Sequence, residues 1–321
     1  MRLLLALLAL AAACPASPHP EATAKRTKAD IEKALKAIEA KARAAAPAPR
    51  WPKAGKDDIP PPTSGELAKA RAELARLNGY RYLAGLSHDV ELDPVLSWTA
   101  KFGAELCKRH GTISHTPPRP QGMPEAAYKR GFEGTSKSNL HWTSGGDGLI
   151  GSVDGYMDDS DPSNVRVVGH RRWCLNPPLR KTGFGVVDGF SAMWVMDTSG
   201  PSAPGAIVCF PSAGLHPIDY FKPGTAWSVS LDPSRHRLSG TNVKVFELRT
   251  LSQVRGFPKD LKGLKEIPLS DVRLSTEGSG IPQCLIFRPS SKIGKGDRFG
   301  VLIEGVDGLP GKILGYLVEF F

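Results

Sequence analysis

The nine residues GHRRWCLNP, Gly169 to Pro177, are the stretch of this 321-residue chain that decides its fold. Tyr156 and Met157 precede the run at the end of a segment, 147–157, that the apolar pattern predicts to be helical. A TGFG run follows it at the start of a predicted strand, 182–187. The motif therefore stands between a helix and a strand.

Two helices are predicted upstream of this motif. Ser64 is placed to cap the first, which carries an apolar stripe and ends near Gly85. The second runs from about Pro94 to His110, with Gly111 as its stop. The segment 115–144 is rich in Pro and Gly and is predicted to be mostly loop.

The motif and its flanks resemble the CAP superfamily, bacterial type, whose members are SCP-like and include cysteine-rich secretory protein, antigen 5 and pathogenesis-related 1. In that family W-M precedes G-H-R-x-x-I-L-N-P and a G-x-G strand. LNGYR at 77–81, LDPVL at 92–96 and the Ser-His pair at 114–115 are similar to further family elements. The resemblance covers about 64–199, so we assign a CAP domain to 64–205, and it implies an α-β-α sandwich with a central cleft.

The resemblance also implies the cleft residues. In the family two histidines and two acidic residues line the cleft, and the matching positions here are His115, His170, Asp154 and Ser138. Ser138 stands where the family has the glutamate of its G-E-N element, so a mechanism that needs this glutamate as base loses it. His115 and His170 are the implied ligands of a Zn²⁺ ion, with Asp154 as a third ligand or as an orienting group.

The role of these residues stays open. The histidines either share a ligand or metal cleft or only make structural hydrogen bonds. A Ser138–His–Asp154 triad is disfavoured because the chain has no G-x-S-x-G elbow. We therefore expect a non-enzymatic module whose cleft binds a ligand, and this ligand is a lipid or an envelope component. The alternative is a metal-assisted hydrolase that uses the same cleft.

The N-terminus resembles an export signal. Arg2, an apolar run from Leu3 to Ala13 and small residues near Cys14 predict a signal peptide over 1–16, with a lipobox and a lipid anchor on Cys14 as the alternative to ordinary cleavage. No later apolar run is long enough to span a bilayer, so we expect no transmembrane helix in the mature chain. The expected location is secreted, periplasmic or at the cell surface.

The rest of the chain predicts three further segments. Residues 17–63 hold a solvated helix, at about 28–45, and a Pro-rich linker. Short alternating strands separated by Gly and Pro turns predict a small Ig-like antiparallel β-sandwich over 213–321. The predicted class is therefore α+β.

Cysteines and charge add two expectations. An exported chain with an even set of later cysteines permits disulfides, whose pairing is open; the four are Cys107, Cys174, Cys209 and Cys284. The net charge of +10 is scattered, which suits contact with an anionic envelope and not nucleic-acid binding. Arg171 and Arg172 are predicted to pair with the nearby acidic run at 158–161.

Overall fold

The computed structural model describes residues 18–44, 51–55, 58–144, 146–248 and 261–321. The predicted signal peptide with Cys14 lies outside these residues. The elements of the first half are, in chain order, α1 Pro20–Ala24, α2 Lys28–Arg43, α3 Ser64–Leu83, β1 Glu91–Leu92, α4 Pro94–His110, α5 Glu125–Ser136, β2 Ser138–Trp142, α6 Ser152–Asp158, α7 Gly169–Cys174, β3 Lys181–Thr182, β4 Phe184–Val187 and β5 Phe190–Trp194.

The first half is a layered arrangement of helices around a small three-stranded sheet, and β1 and β3 form a separate parallel pair. The sheet has the antiparallel order β2-β5-β4. Helix α4 lies against β4 and β5, with α5 packed on α4, while α3 and α6 contact the sheet's strands β4 and β2. Ala192 of β5 packs among side chains from α4, and its neighbour Met193 packs with residues of α6, so both faces of the sheet are covered.

Local sequence signals explain the ends of the long helices. Thr63, one residue before the predicted cap, accepts from Glu66 N, and the Glu66 carboxylate accepts from Thr63 N in a reciprocal capping box. Asp93 caps α4 ahead of Pro94. Gly111 ends α4 in the left-handed conformation, at φ 84°.

Helix α5 and strand β2 lie in the segment that the sequence predicted to be loop. The two helices α4 and α5 cross so closely that a Cβ at Gly134 would lie 2.3 Å from the carbonyl oxygen of Thr99. A Cβ at Gly103 would lie 2.7 Å from the carbonyl carbon of Gly134. Glycines that usually break helices are therefore required here by the helix crossing.

The segment ahead of the first domain packs on it. Helix α2 confirms the predicted helix, has an exposed outer face and lies against α3, burying Ile31. The described parts of the predicted linker lie against α4. Trp98 donates from Nε1 to the carbonyl oxygen of Ile59 at 3.0 Å, and its ring meets Trp51 edge-on at 6.2 Å between centroids.

The second half of the chain is built from strands. They are β6 Ile207–Phe210, β7 Gly214–His216, β8 Trp227–Leu231, β9 Arg237–Leu238, β10 Val243–Glu247, β11 Lys265–Ile267, β12 Leu269–Ser275, β13 Gln283–Pro289, β14 Arg298–Glu304, β15 Val306–Asp307 and β16 Ile313–Phe320. The first of them lies between the two domain ranges predicted from the sequence.

Nine of these strands form a sandwich of two sheets, and β9 and β15 form a separate antiparallel pair. One sheet has the order β11-β10-β14-β16-β7 and the other β12-β13-β8-β6. Every neighbouring pair is antiparallel except β16 and β7, which are parallel. Trp227 lies between the sheets, where its fully buried ring contacts Phe287 of one sheet and Phe299 and Phe320 of the other. The predicted α+β class is confirmed.

The two halves share one hydrophobic core, and two arginines of α7 join them. Arg171 donates to the Ala226 carbonyl oxygen at 2.8 Å and to Ser228 Oγ at 3.0 Å. Arg172 donates to Ser275 Oγ at 3.1 Å and to the Ile281 carbonyl oxygen at 2.9 Å. Arg171 and Arg172 were expected to form ion pairs with the acidic run at 158–161. Their guanidinium groups are instead buried and donate to carbonyl and hydroxyl oxygens.

The structure also bears on the expectations about disulfides and about transmembrane helices. The four described cysteines are free and buried, so none of them forms a disulfide in this structure; they are Cys107, Cys174, Cys209 and Cys284. Among the described residues, no helix has the length and apolar character that a membrane span requires.

Candidate functional site

His170 is held by a buried carboxylate. Asp159, in the left-handed conformation after α6, accepts a hydrogen bond from His170 Nδ1 through Oδ1 at 2.8 Å and from the His170 backbone N–H through Oδ2 at 2.9 Å. The Asp159 side chain is 1% exposed and that of His170 is 20% exposed. A carboxylate facing Nδ1 favours the tautomer with the proton on Nδ1, which leaves Nε2 free to act towards solvent or a ligand.

Tyr156 supports the same imidazole from α6. Its ring lies 5.6 Å from that of His170, between centroids, at an interplanar angle of 36°. Its hydroxyl donates to the Asn139 carbonyl oxygen at 3.1 Å, and Asn139 Nδ2 donates to the His170 carbonyl oxygen at 3.0 Å. Burial raises the pKa of Tyr156, so the ring stays a neutral surface. Strand β2 and α6 therefore fix His170 together.

His141 completes a cluster that the sequence did not predict. Its ring meets Tyr156 edge-on at 6.2 Å, and its Cε1 and Nδ1 lie 3.2 Å from where a Cβ at Gly155 would be. Burial lowers the pKa of His141, and the nearby charges of Lys222 and His170 act in the same direction. The only sequence signal was alternation along β2, which puts His141 on the same face as Asn139.

Ser138 lies on the other face of β2. Ser138 pairs with Trp194 and Leu140 with Ala192, and Leu140 and Ala192 pack together with side chains of α4. Asn139 and His141 alternate with these residues and face α6 instead. Ser138 Oγ is buried and has no hydrogen-bond partner within the described part of the chain.

His115 is held at the end of α5. Its Nδ1 lies 2.9 Å from the Thr135 carbonyl oxygen, and Thr135 Oγ1 donates to the His115 carbonyl oxygen at 3.1 Å. This contact puts the proton on Nδ1 and leaves Nε2 free, as in His170. The side chain is exposed, and no described hydrogen bond or ring contact joins it to His141, Tyr156 or His170.

Asp154 contacts a different set of residues again. Its Oδ1 accepts from Arg76 Nε at 2.6 Å and from the Tyr80 hydroxyl at 2.7 Å, both on α3. Arg76 also lies over the ring of Tyr220, 3.7 Å from its centroid. The four predicted cleft residues thus lie in four separate surroundings, and a cleft common to all four stays a prediction from the resemblance.

Most of the first half of the chain matches a protein-family model. Residues 74–197 match the model of CAP, the cysteine-rich secretory protein family. This segment is a CAP domain. No curated protein and no solved structure matches the chain.

Three residues of the stretch LNGYR in the CAP domain have structural roles. Asn78 binds both the carbonyl oxygen and the N–H of Val90, at 3.0 and 3.1 Å. Gly79 admits Tyr220 of the second half, because a Cβ there would lie 2.4 Å from the tyrosine hydroxyl oxygen. Arg81 is fully buried and donates to the carbonyl oxygens of Cys174 and Asn176 at 3.0 and 2.8 Å. The family motif therefore encodes the packing of α3.

The predicted zinc ligands do not form a complete set in this CAP domain. A catalytic zinc site normally has three protein ligands and an open position. Within the described residues, no group of three or more His, Cys, Asp or Glu side chains is placed to hold a metal ion. His115 and His170 belong to different sets of contacts, and Asp154 is engaged by Arg76. Zinc stays a prediction from the resemblance.

Proposed function

We propose that this protein is an exported, non-enzymatic CAP-domain module that binds an envelope component at the His170 cluster, defined as His141, Tyr156, Asp159 and His170. The observation that carries the proposal is the hold on His170. Asp159 and Tyr156 fix an imidazole whose Nε2 is free at a partly exposed position. A preorganised polar group at the surface favours ligand binding because it loses little freedom on binding.

The cluster supports binding over covalent catalysis. A nucleophilic mechanism needs a hydroxyl or thiol in hydrogen-bond reach of the base. Among the described contacts, the ring nitrogens of His170 meet Asp159 alone, and the nearest cysteine in sequence, Cys174, is buried with its pKa raised by burial to about 12. A residue with this pKa is a thiol and not a nucleophilic thiolate at neutral pH.

The test is cosedimentation of the mature chain with purified peptidoglycan sacculi, an envelope polymer that carries many carboxylates. We expect wild-type protein to sediment with the sacculi and His170→Ala to lose most of this binding. His110→Ala is the matched control, because His110 is exposed at the end of α4, away from the cluster. Circular dichroism spectra of the three proteins check that each is folded.

Two outcomes would contradict the proposal. Equal binding by wild type and His170→Ala would show that the cluster does not carry the interaction. Soluble glycan or peptide fragments released by wild type but not by His170→Ala would replace the binding role with the hydrolytic alternative, in which the Asp159–His170 pair activates water.

A further inference from the structure

The second half of the chain reaches the His170 cluster through residues 222–226. Thr225 Oγ1 donates to Asp158 Oδ1 at 2.7 Å, and the Ala226 N–H donates to Ser160 Oγ at 2.9 Å. Asp158 and Ser160 flank Asp159, the residue that holds His170. The segment is therefore fixed beside the cluster by contacts across the domain boundary.

Lys222 is the cation that this segment brings to the cluster. Its Nζ lies 4.0 Å from Asp158 Oδ2, and its side chain is 56% exposed. An exposed ion pair at this separation is worth less than about 1 kcal/mol. The ammonium group is thus loosely held, and its three donors are available to another anion.

His141 is the neutral group on the same side of α6, because its ring lies against Gly155, one helical turn before Asp158, the residue that Lys222 faces. No hydrogen bond joins either of its ring nitrogens to another described residue, although the ring is half-buried against Tyr156 and Gly155. Burial lowers the pKa of His141, and the positive charge of Lys222 lowers it further. A neutral imidazole held in this way offers one N–H donor to a bound group.

Resting on the ligand-binding role proposed above, we propose that Lys222 and His141, one from each half of the chain, bind an anionic group, a carboxylate or a phosphate, of the ligand that contacts His170. The two groups combine a charged donor and a neutral donor, which suits an oxyanion. Specificity at this site then depends on the β-sandwich as well as on the CAP domain.

Two carboxylates, Asp158 and Asp159, lie near this site, and neither prevents it from binding an anion. Both oxygens of Asp159 are engaged by His170, its side chain is buried, and the Arg171 backbone N–H also donates to it, at 3.4 Å. Asp158 is the competitor, because its free oxygen faces Lys222. Removing the charge of Asp158 should therefore strengthen anion binding, which is the opposite of the effect expected for removing Lys222.

The experiment follows the imidazole resonances of ¹⁵N-labelled full-length protein by NMR during titration with sodium phosphate and, in a second arm, sodium acetate. We expect one or both anions to shift the His141 and His170 resonances, and the arm that binds more tightly identifies the class of anionic group. Lys222→Gln should weaken that dissociation constant at least about fivefold, since it removes a charged hydrogen bond. Asp158→Asn should tighten it several-fold.

Lys295→Gln is the matched control, because Lys295 is an exposed lysine of the sandwich that lies outside this segment. It should bind as wild type does. The inference is overturned if neither anion moves the His141 resonances, or if Lys222→Gln binds both anions as tightly as wild type.

The sacculus assay separates this inference from the function on which it rests. Loss of binding in His170→Ala with full binding in Lys222→Gln would refute the anion site and leave the proposed function standing. Full binding in His170→Ala would refute the proposed function itself.

Discussion

Arg171 of the CAP domain donates to Ser228 Oγ of the β-sandwich at 3.0 Å, and both residues are buried. The same guanidinium group donates to the carbonyl oxygens of Met157, at 2.7 Å, and Ala226, at 2.8 Å. Burial lowers the pKa of Arg171, and the charges of Asp159 and Asp158 oppose that shift. One side chain thus ties α6, α7 and β8 together.

Arg171→Met should destabilise the protein by at least about 3 kcal/mol. The methionine keeps part of the apolar stem but leaves several buried oxygens without a donor, each costing about 1–3 kcal/mol. Urea unfolding at neutral pH measures the loss. The control is Arg166→Met, at an exposed arginine five residues earlier, which should stay within about 0.5 kcal/mol of wild type. Equal stability of the two variants would show that Arg171 does not couple the domains.

Asp159→Asn should release His170 from its single tautomer. The asparagine amide presents either an oxygen or an N–H₂ group to Nδ1, so both neutral tautomers become accessible. Long-range ¹H–¹⁵N NMR of the imidazole should show one tautomer at His170 in the wild type and a mixture in the variant. Asp161→Asn, in the same acidic run, should leave the His170 spectrum unchanged, and so would Asp159→Asn if the carboxylate were only structural.

The fold was largely predictable because its signals are local. Pro94 and Gly111 mark the two ends of α4, and the observed helix matches them. Helix α5 was missed because its Gly131 and Gly134 resemble loop residues, and only the contact with α4 explains them. A requirement that comes from tertiary packing leaves no periodic pattern in the sequence.

The candidate site was less predictable, because its partners come from distant segments. The motif drew attention to His170, whose acidic partner in the structure is Asp159, eleven residues earlier, whereas Asp154 binds Arg76 and Tyr80. His141 and Lys222 belong to no motif. His141 lies against Tyr156, and Lys222 faces Asp158, because β2 and the start of the sandwich both pack on α6.

The buried cysteines should be unreactive in the folded protein. Burial raises the pKa of Cys174 and Cys209 to about 12, and it also raises those of Cys107 and Cys284. Thiols in this state react slowly because the thiolate is the reactive form. A Cys14→Ser variant treated with Ellman's reagent should show almost no reaction when native and four thiols in denaturant. Fewer than four in denaturant without reductant would reveal a disulfide and contradict the free state.

His216 should make the protein less stable in mild acid. The ring is 1% exposed, packs against Phe210, Phe221 and Phe320, and lies 2.9 Å from Ser212 Oγ through Nδ1. Desolvation by burial lowers its pKa from 6.5 to about 4, and the charge of Arg76 acts in the same direction.

The lowered pKa fixes the direction of the effect. Between pH 6.5 and 4 the unfolded chain binds a proton at this histidine that the folded chain does not, so the contribution of His216 to stability is complete above pH 6.5 and falls as the pH drops. The full loss amounts to about 3 kcal/mol, from about 1.4 kcal/mol for each pKa unit. Urea unfolding at intervals from pH 7.5 to 4 measures it. His216→Asn, which keeps an acceptor for Ser212, should be less stable at pH 7.5 but should lose less stability on acidification. An unchanged pH slope in that variant would assign the acid sensitivity to other groups.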